Sequence, residues 1–159
     1  MKTNKKLLAL MLGVVLTCCQ AVMVSAETTE AEKIISVEKQ YLDDGYYCET
    51  VILEESSLFR SSSKTASKTS TFYNGNDEAL WYVKVIGEFT YTGSSSKCTS
   101  ASVSAASYVS TWKVSNKSSS YSGNTAKASA TGKLYFGNAV VDTVNKTVSL
   151  TCSANGDLS

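Results

Sequence analysis

The sequence predicts an all-β protein, an antiparallel β-sandwich of immunoglobulin-like type with about seven to nine strands, and a partly closed barrel is the alternative. Three observations carry this. Apolar residues alternate with polar ones over most of the chain after residue 37, the period of a half-buried strand. Turn signals built on Gly, Asn and Asp recur every eight to fourteen residues or so, the rhythm of short strands joined by tight reversals. The composition, 43% hydrophobic and 9% aromatic, is that of a packed domain rather than a disordered chain, and 159 residues suit a single one.

Taken in order, residues 1–26 read as a secretory signal peptide. Lys2, Lys5 and Lys6 precede an apolar run from Leu7 to Val24, and Val24-Ser25-Ala26 offers a cleavage site. A lipidated form fits poorly, because Cys19 is preceded by Cys18 rather than by a small residue. The expected product is secreted, with no transmembrane segment in the mature form. Residues 27–36 read as a polar leader, and 37–159 as one β-sandwich domain.

Within that domain, Asp43-Asp44-Gly45 separates a strand near Val37–Leu42 from a longer one, Tyr46–Glu54, since Gly accepts the positive φ of a tight turn. The Ser/Thr/Lys stretch 56–70 is expected to include a solvent-facing edge strand. After the turn at Asn74-Gly75-Asn76-Asp77 comes the clearest alternation: Trp81, Val83, Val85, Phe89 and Tyr91 face one way, and Tyr82, Lys84, Glu88 and Thr90 the other. Cys98–Ala105 follows with Ala101 and Val103 inward, then a short strand at Trp112 and Val114, with a turn region over Ser119–Asn124. Ala126, Ala128, Ala130, Gly132, Leu134 and Phe136 share the inner face of the next strand. Its small residues imply close approach of a second layer filled by Trp81, Phe89 and Trp112. Val140–Thr151 returns last. Strict alternation there would bury Asp142 and Lys146, so a β-bulge near Thr143–Lys146 or an exposed first half is expected.

Charge is divided along the chain. Residues 27–59 hold nine acids against Lys33 and Lys39, while 60–159 hold ten basic residues against five acids. No basic run is long enough to grip a polyanion, so no nucleic-acid partner is expected.

The chemistry is bounded by an absence: there is no histidine. Ser-His-Asp hydrolases, Cys-His proteases and most zinc enzymes thereby lose their base or ligand. Two Ser-x-x-Lys matches, Ser61 to Lys64 and Ser94 to Lys97, lie in serine-crowded loops without companion motifs. The carboxylates after residue 60 are Asp77, Glu78, Glu88, Asp142 and Asp157, and they form no evident acid–base pair. The oxygen-rich stretches at Asp43-Asp44, Asn74–Asp77 and Asn155–Asp157 are too sparse for calcium loops. No catalytic residue, metal or cofactor is expected.

Tyrosines give the one binding feature. Tyr46, Tyr82 and Tyr135 fall on outward faces by alternation, and Tyr108 and Tyr121 in loops. Such rings stack on sugars or anchor a protein partner, although tyrosine also suits a pleated surface for its own sake. Three cysteines survive removal of the signal. Cys98 opens one strand and Cys152 ends the last, which allows a disulfide between them. Pairing of Cys48 with Cys152, or three reduced thiols acting as small apolar residues, stays open.

Several stretches together resemble a family. They are Tyr41-Leu42-Asp43-Asp44-Gly45-Tyr46-Tyr47, Leu80-Trp81, Phe89-Thr90-Tyr91-Thr92-Gly93, Cys98-Thr99-Ser100-Ala101-Ser102-Val103, Trp112-Lys113-Val114, Ser122-Gly123-Asn124-Thr125-Ala126 and the ending Leu150–Ser159. On these the chain is similar to small exported β-rich proteins of Gram-positive anaerobic bacteria. The resemblance implies an exported β protein and a Cys98–Cys152 pairing, and brings no activity or functional residue with it. The function expected is surface contact, without catalysis, with a glycan, an envelope component or a protein. A structural or accessory envelope protein with no specific ligand is the alternative.

Overall fold

The computed structural model describes residues 32–55 and 62–159, so the signal segment 1–26 and most of the Ser56–Ser62 stretch lie outside the described residues. Eight strands are described: β1 Glu32–Tyr41, β2 Tyr47–Glu55, β3 Ser63–Tyr73, β4 Ala79–Tyr91, β5 Ser96–Ser107, β6 Trp112–Ser122, β7 Thr125–Phe136 and β8 Ala139–Thr151. β1 to β5 form one sheet and β6 to β8 a second, all pairs antiparallel. This is the sandwich the alternation predicts, and the sheets do not close into a barrel. The connectivity departs from the immunoglobulin pattern. That fold uses Greek-key crossings, whereas here every hydrogen-bonded neighbour is also the neighbour in sequence. Tight reversals cause this: Gly45 (φ +78°) and Gly137 (φ +61°) turn each strand straight back on its predecessor.

The core forms where large meets small. Trp81, Val83, Val85 and Phe89 of β4 are buried against Ala126, Ala128 and Ala130 of β7 and Val148 and Leu150 of β8. Trp81 lies so close over Gly132 that a Cβ there would stand 2.5 Å from the indole Cε2. Phe72 stacks on Trp81 with ring centroids 4.4 Å apart and planes within 3°, and the Trp112 ring lies 6.1 Å from Trp81. The indole Nε1 has no hydrogen-bond partner among the described residues. A buried donor left unpaired costs about 1–3 kcal/mol, a penalty carried by the packing of the ring itself.

The two sheets meet along one side and part along the other. On the β5–β6 side, the Cys98 N–H donates to Gly123 O (2.8 Å) and the Ser119 hydroxyl to Ala101 O (3.2 Å). On the opposite side β8 packs over β4 and β3, and β1 and β2 project beyond it.

Several expectations are corrected. Residues 32–36, read as leader, already belong to β1, which pairs from Glu32 opposite Glu55. The expected edge strand is β3, and it is interior, hydrogen-bonded to β2 and β4 with Ala66 and Ser70 buried. Its serines and threonines mislead because hydroxyls pair across strands, as Thr50 and Ser70 do at 2.8 Å. β6 continues to Ser122 instead of turning at Ser119. It is an exposed edge with a register shift between Ser115 and Ser118, so alternation is lost there. In β8 the irregularity falls opposite Leu134/Tyr135, earlier than Thr143–Lys146, and it is the other expected arrangement, an exposed first half, that the strand adopts. Phe136 ends at 82% exposure beside the reversal rather than in the core.

The cysteines are also corrected. Cys48, Cys98 and Cys152 are free thiols, all buried, and no Cys98–Cys152 bridge is present. Each of that pair is satisfied along its own strand: the Cys98 thiol donates to Ser100 O (3.2 Å) and the Cys152 thiol to Ser153 O (3.5 Å). Burial, above all, pushes both thiols up from their usual pKa. Raised, buried thiols are poor nucleophiles. The native protein should therefore resist a soluble thiol reagent at neutral pH, while the denatured protein should react at all three cysteines; prompt native labelling of Cys98 or Cys152 would contradict the packing.

Candidate functional site

The outer face of the five-stranded sheet carries a line of tyrosines that runs across the strands. The β1–β2 register sets Tyr41 opposite Tyr47, and the β2–β3 register sets Tyr47 opposite Tyr73. The ring centroids lie 5.9 Å apart for the first pair and 4.7 Å for the second, whose planes are within 7°. On β4, Tyr82 is 5.5 Å from Tyr108, which follows β5 and is tethered by its N–H to Leu80 O at 2.9 Å. Five strands at ~4.8 Å spacing make this strip about 19 Å long. Its ends are open, with Tyr41 78% and Tyr108 59% exposed, while Tyr47 at the middle is buried to 7%.

The middle is fixed by polar contacts. The Tyr47 hydroxyl donates to Asp77 Oδ1 at 2.9 Å. Asp77 sits at φ +61°, a left-handed position that Asp tolerates. The turn around it is held by Asn74 Oδ1, which accepts the Asn76 and Glu78 N–H groups, both at 3.0 Å. Lys39 lies 4.7 Å from the Tyr47 ring centroid and pairs with Glu49 at 3.5 Å. The Tyr82 hydroxyl is shared with Ser104 at 3.0 Å.

These surroundings raise the pKa of three of the phenols. Tyr47 is pushed up to about 12, by burial first and then by the Asp77 hydrogen bond and charge. Burial likewise raises Tyr73 and Tyr108. A phenol held above its unfolded pKa of 10.0 contributes stability that is complete below pH 10 and is lost as pH climbs toward 12. Tyr47→Phe should accordingly flatten the fall of the melting temperature across that alkaline window. An unchanged slope would mean that Tyr47 ionises freely.

Of the sequence-predicted binding residues, the fold unites Tyr82 and Tyr108 and scatters the rest. Tyr121 stands near the opposite end of the sandwich, on β6. Tyr135 lies on the second sheet beneath Lys113, whose Nζ is 4.6 Å from its ring centroid. Tyr46 lines a cleft at the end of the sandwich where the sheets part. Tyr41, Tyr47 and Tyr73 were missed. The signal for the first two was their symmetric placement about Asp43-Asp44-Gly45, which a tight hairpin converts into a cross-strand pair.

The cleft has a volume of ≈ 280 Å³, with Leu42, Tyr46, Phe72, Leu80, Trp112 and Val144 as apolar walls and Asp43 and Asp142 as its acids. A polar groove of ≈ 320 Å³ also runs between β8 and the inner face of β1–β3, lined by Glu38, Gln40, Thr50, Lys68, Ser70 and residues 146–149. Lys146 reaches from the groove toward the cleft, its Nζ 5.8 Å from the Phe72 ring centroid. Among the described residues, no three His, Cys, Asp or Glu side chains gather as a metal set, and no helix is long and apolar enough to cross a membrane. No protein-family model, curated protein or solved structure matches the chain.

Proposed function

We propose that the chain is an exported, non-enzymatic β-sandwich that acts by surface contact, with the tyrosine strip as its contact surface and a glycan as its ligand. The observation that carries this reading is the alignment of Tyr41, Tyr47, Tyr73, Tyr82 and Tyr108 on one face of one sheet. Tyrosine brings a large amphipathic surface at small entropic cost, because its ring has few rotamers to lose. Here the stack of buried Tyr47 on half-buried Tyr73 braces Tyr41, and Tyr82 braces Tyr108, before any ligand arrives, so less ordering is needed on contact. Export rests on the basic, apolar and small-residue segments of residues 1–26.

Binding to a glycan array and to insoluble envelope polysaccharide tests the proposal. The double variant Tyr41→Ala/Tyr108→Ala should bind at least about tenfold more weakly, the usual cost of removing exposed aromatic anchors. Its melting temperature should barely move, since both rings are largely exposed. A blank array, or full binding by the double variant, would overturn the reading.

A further inference from the structure

The free edge of β8 combines with the projection of β1 and β2 to make a slot one strand deep. β8 ends its sheet, so among the described residues no strand lies beside the backbone groups on its far side. The chain itself shows how that edge is used. Thr151 and Ser159 exchange both backbone hydrogen bonds, at 2.8 and 3.0 Å, and Cys152 forms an antiparallel bridge with Leu158. In an antiparallel ladder, residues alternate in the side to which their N–H and C=O point. Since Thr151 bonds outward, so do Ser149, Thr147 and Asn145. Their side chains agree: Ser129–Thr147 and Thr131–Asn145 meet at 2.8 and 2.7 Å, the close approach of pairs that are not hydrogen-bonded to each other. The row stops at Thr143, whose N–H is taken by Asp142 Oδ1 at 2.7 Å.

The far wall of the slot is the inner face of β1 and β2, two strands or about 10 Å wide. That width admits an added strand. It also keeps a second copy from pairing β8 to β8, because the projecting strands of both copies would claim the same space. We propose that this edge binds an extended peptide by strand addition, antiparallel to β8, along Ser149, Thr147 and Asn145. The walls specify its side chains. At the level of Lys146 the slot presents Lys146 and Lys68, neither ion-paired among the described residues, against one acid of the groove, Glu38 on the β1 wall, and this balance calls for an acidic residue beside the two lysines. Two residues further toward the peptide's C-terminus, at the level of Val144, the apolar cleft opens beside Phe72, Leu80 and Trp112, which calls for a bulky apolar residue. Main-chain bonds would supply affinity and these two pockets specificity.

The test uses the secreted protein and a synthetic threonine-rich peptide carrying glutamate followed, two residues on, by phenylalanine. Binding is read by calorimetry, and hydrogen exchange is followed at the Ser149, Thr147 and Asn145 amides. The peptide should bind, slow exchange at those three amides, and bind at least about tenfold more weakly when its backbone is N-methylated or when glutamate and phenylalanine are exchanged. Thr147→Pro removes no native ladder bond, because that N–H points outward, and edge positions tolerate proline. It should leave the fold intact and reduce binding by a similar factor. Equal binding of the N-methylated peptide, unchanged exchange at the three amides, or no binding at any soluble concentration would each overturn the proposal. If Thr147→Pro fails to fold, the exchange measurement on the unaltered protein still decides.

Discussion

Trp81→Ala should cost the domain about 3–5 kcal/mol, the range for deleting a large buried aromatic. Domains of this kind hold about 5–15 kcal/mol in all, so the variant should melt far below the parent or fail to fold. Trp81 is fully buried, stacks with Phe72, neighbours Trp112 and rests on Gly132. The last contact allows a sharper version. Gly132→Ala places a methyl group 2.5 Å from the indole Cε2 and should itself cost about 1–3 kcal/mol as overpacking. In a Trp81→Leu background the smaller side chain vacates that space, and the added methyl should cost little or stabilise. Urea melts of the two single variants and the double variant measure the coupling. Additive effects would mean that Gly132 is glycine for some reason other than the indole above it.

Ending the chain at Thr147 should abolish the cooperative transition altogether. The removed segment holds Val148, Leu150 and Cys152, all buried, and pairs with β7 through Ala126 and Ala128. Its loss opens the alanine-lined face of β7 to water and strips the cover from Val83 and Val85. A truncated protein that still melted in a single sharp step would show that the five-stranded sheet sustains the core without its closing layer.

How far the fold could be read from residues depended on which force set each element. Where burial is one-sided, as along Trp81–Tyr91 and Ala126–Leu134, alternation named the inward residues, and they are the core. β3 was legible as a strand but not as an interior one, because its inward Ser70 and Lys68 look like surface. Cross-strand hydroxyl pairing and the groove beside β8 make those positions acceptable. The sequence signal for β6 failed for the opposite reason, since an exposed edge has no face to mark. For the binding surface, individual tyrosines were visible and their alignment was not. A strip that crosses strands depends on hairpin register, and register is a property of turns: Tyr41 meets Tyr47 only because the chain reverses at Asp43–Gly45. Cys98 and Cys152 sit at strand ends as expected, yet each thiol donates to a nearby carbonyl, Ser100 O and Ser153 O, and sequence position does not reveal those partners.

The strictly sequential order of strands has a kinetic consequence. Each strand pairing closes only a short stretch of chain, so little conformational entropy is spent before those contacts form. A Greek key must hold its first strand waiting until a distant one arrives. Here two zippers can grow from their own turns, one along residues 32–107 and the other along 112–151, and among the described strands the non-local event is their collapse onto each other. The expected folding barrier is therefore the docking of the two halves at the alanine seam between β4 and β7, and substitutions at Ala128 should slow refolding more than substitutions in the turns.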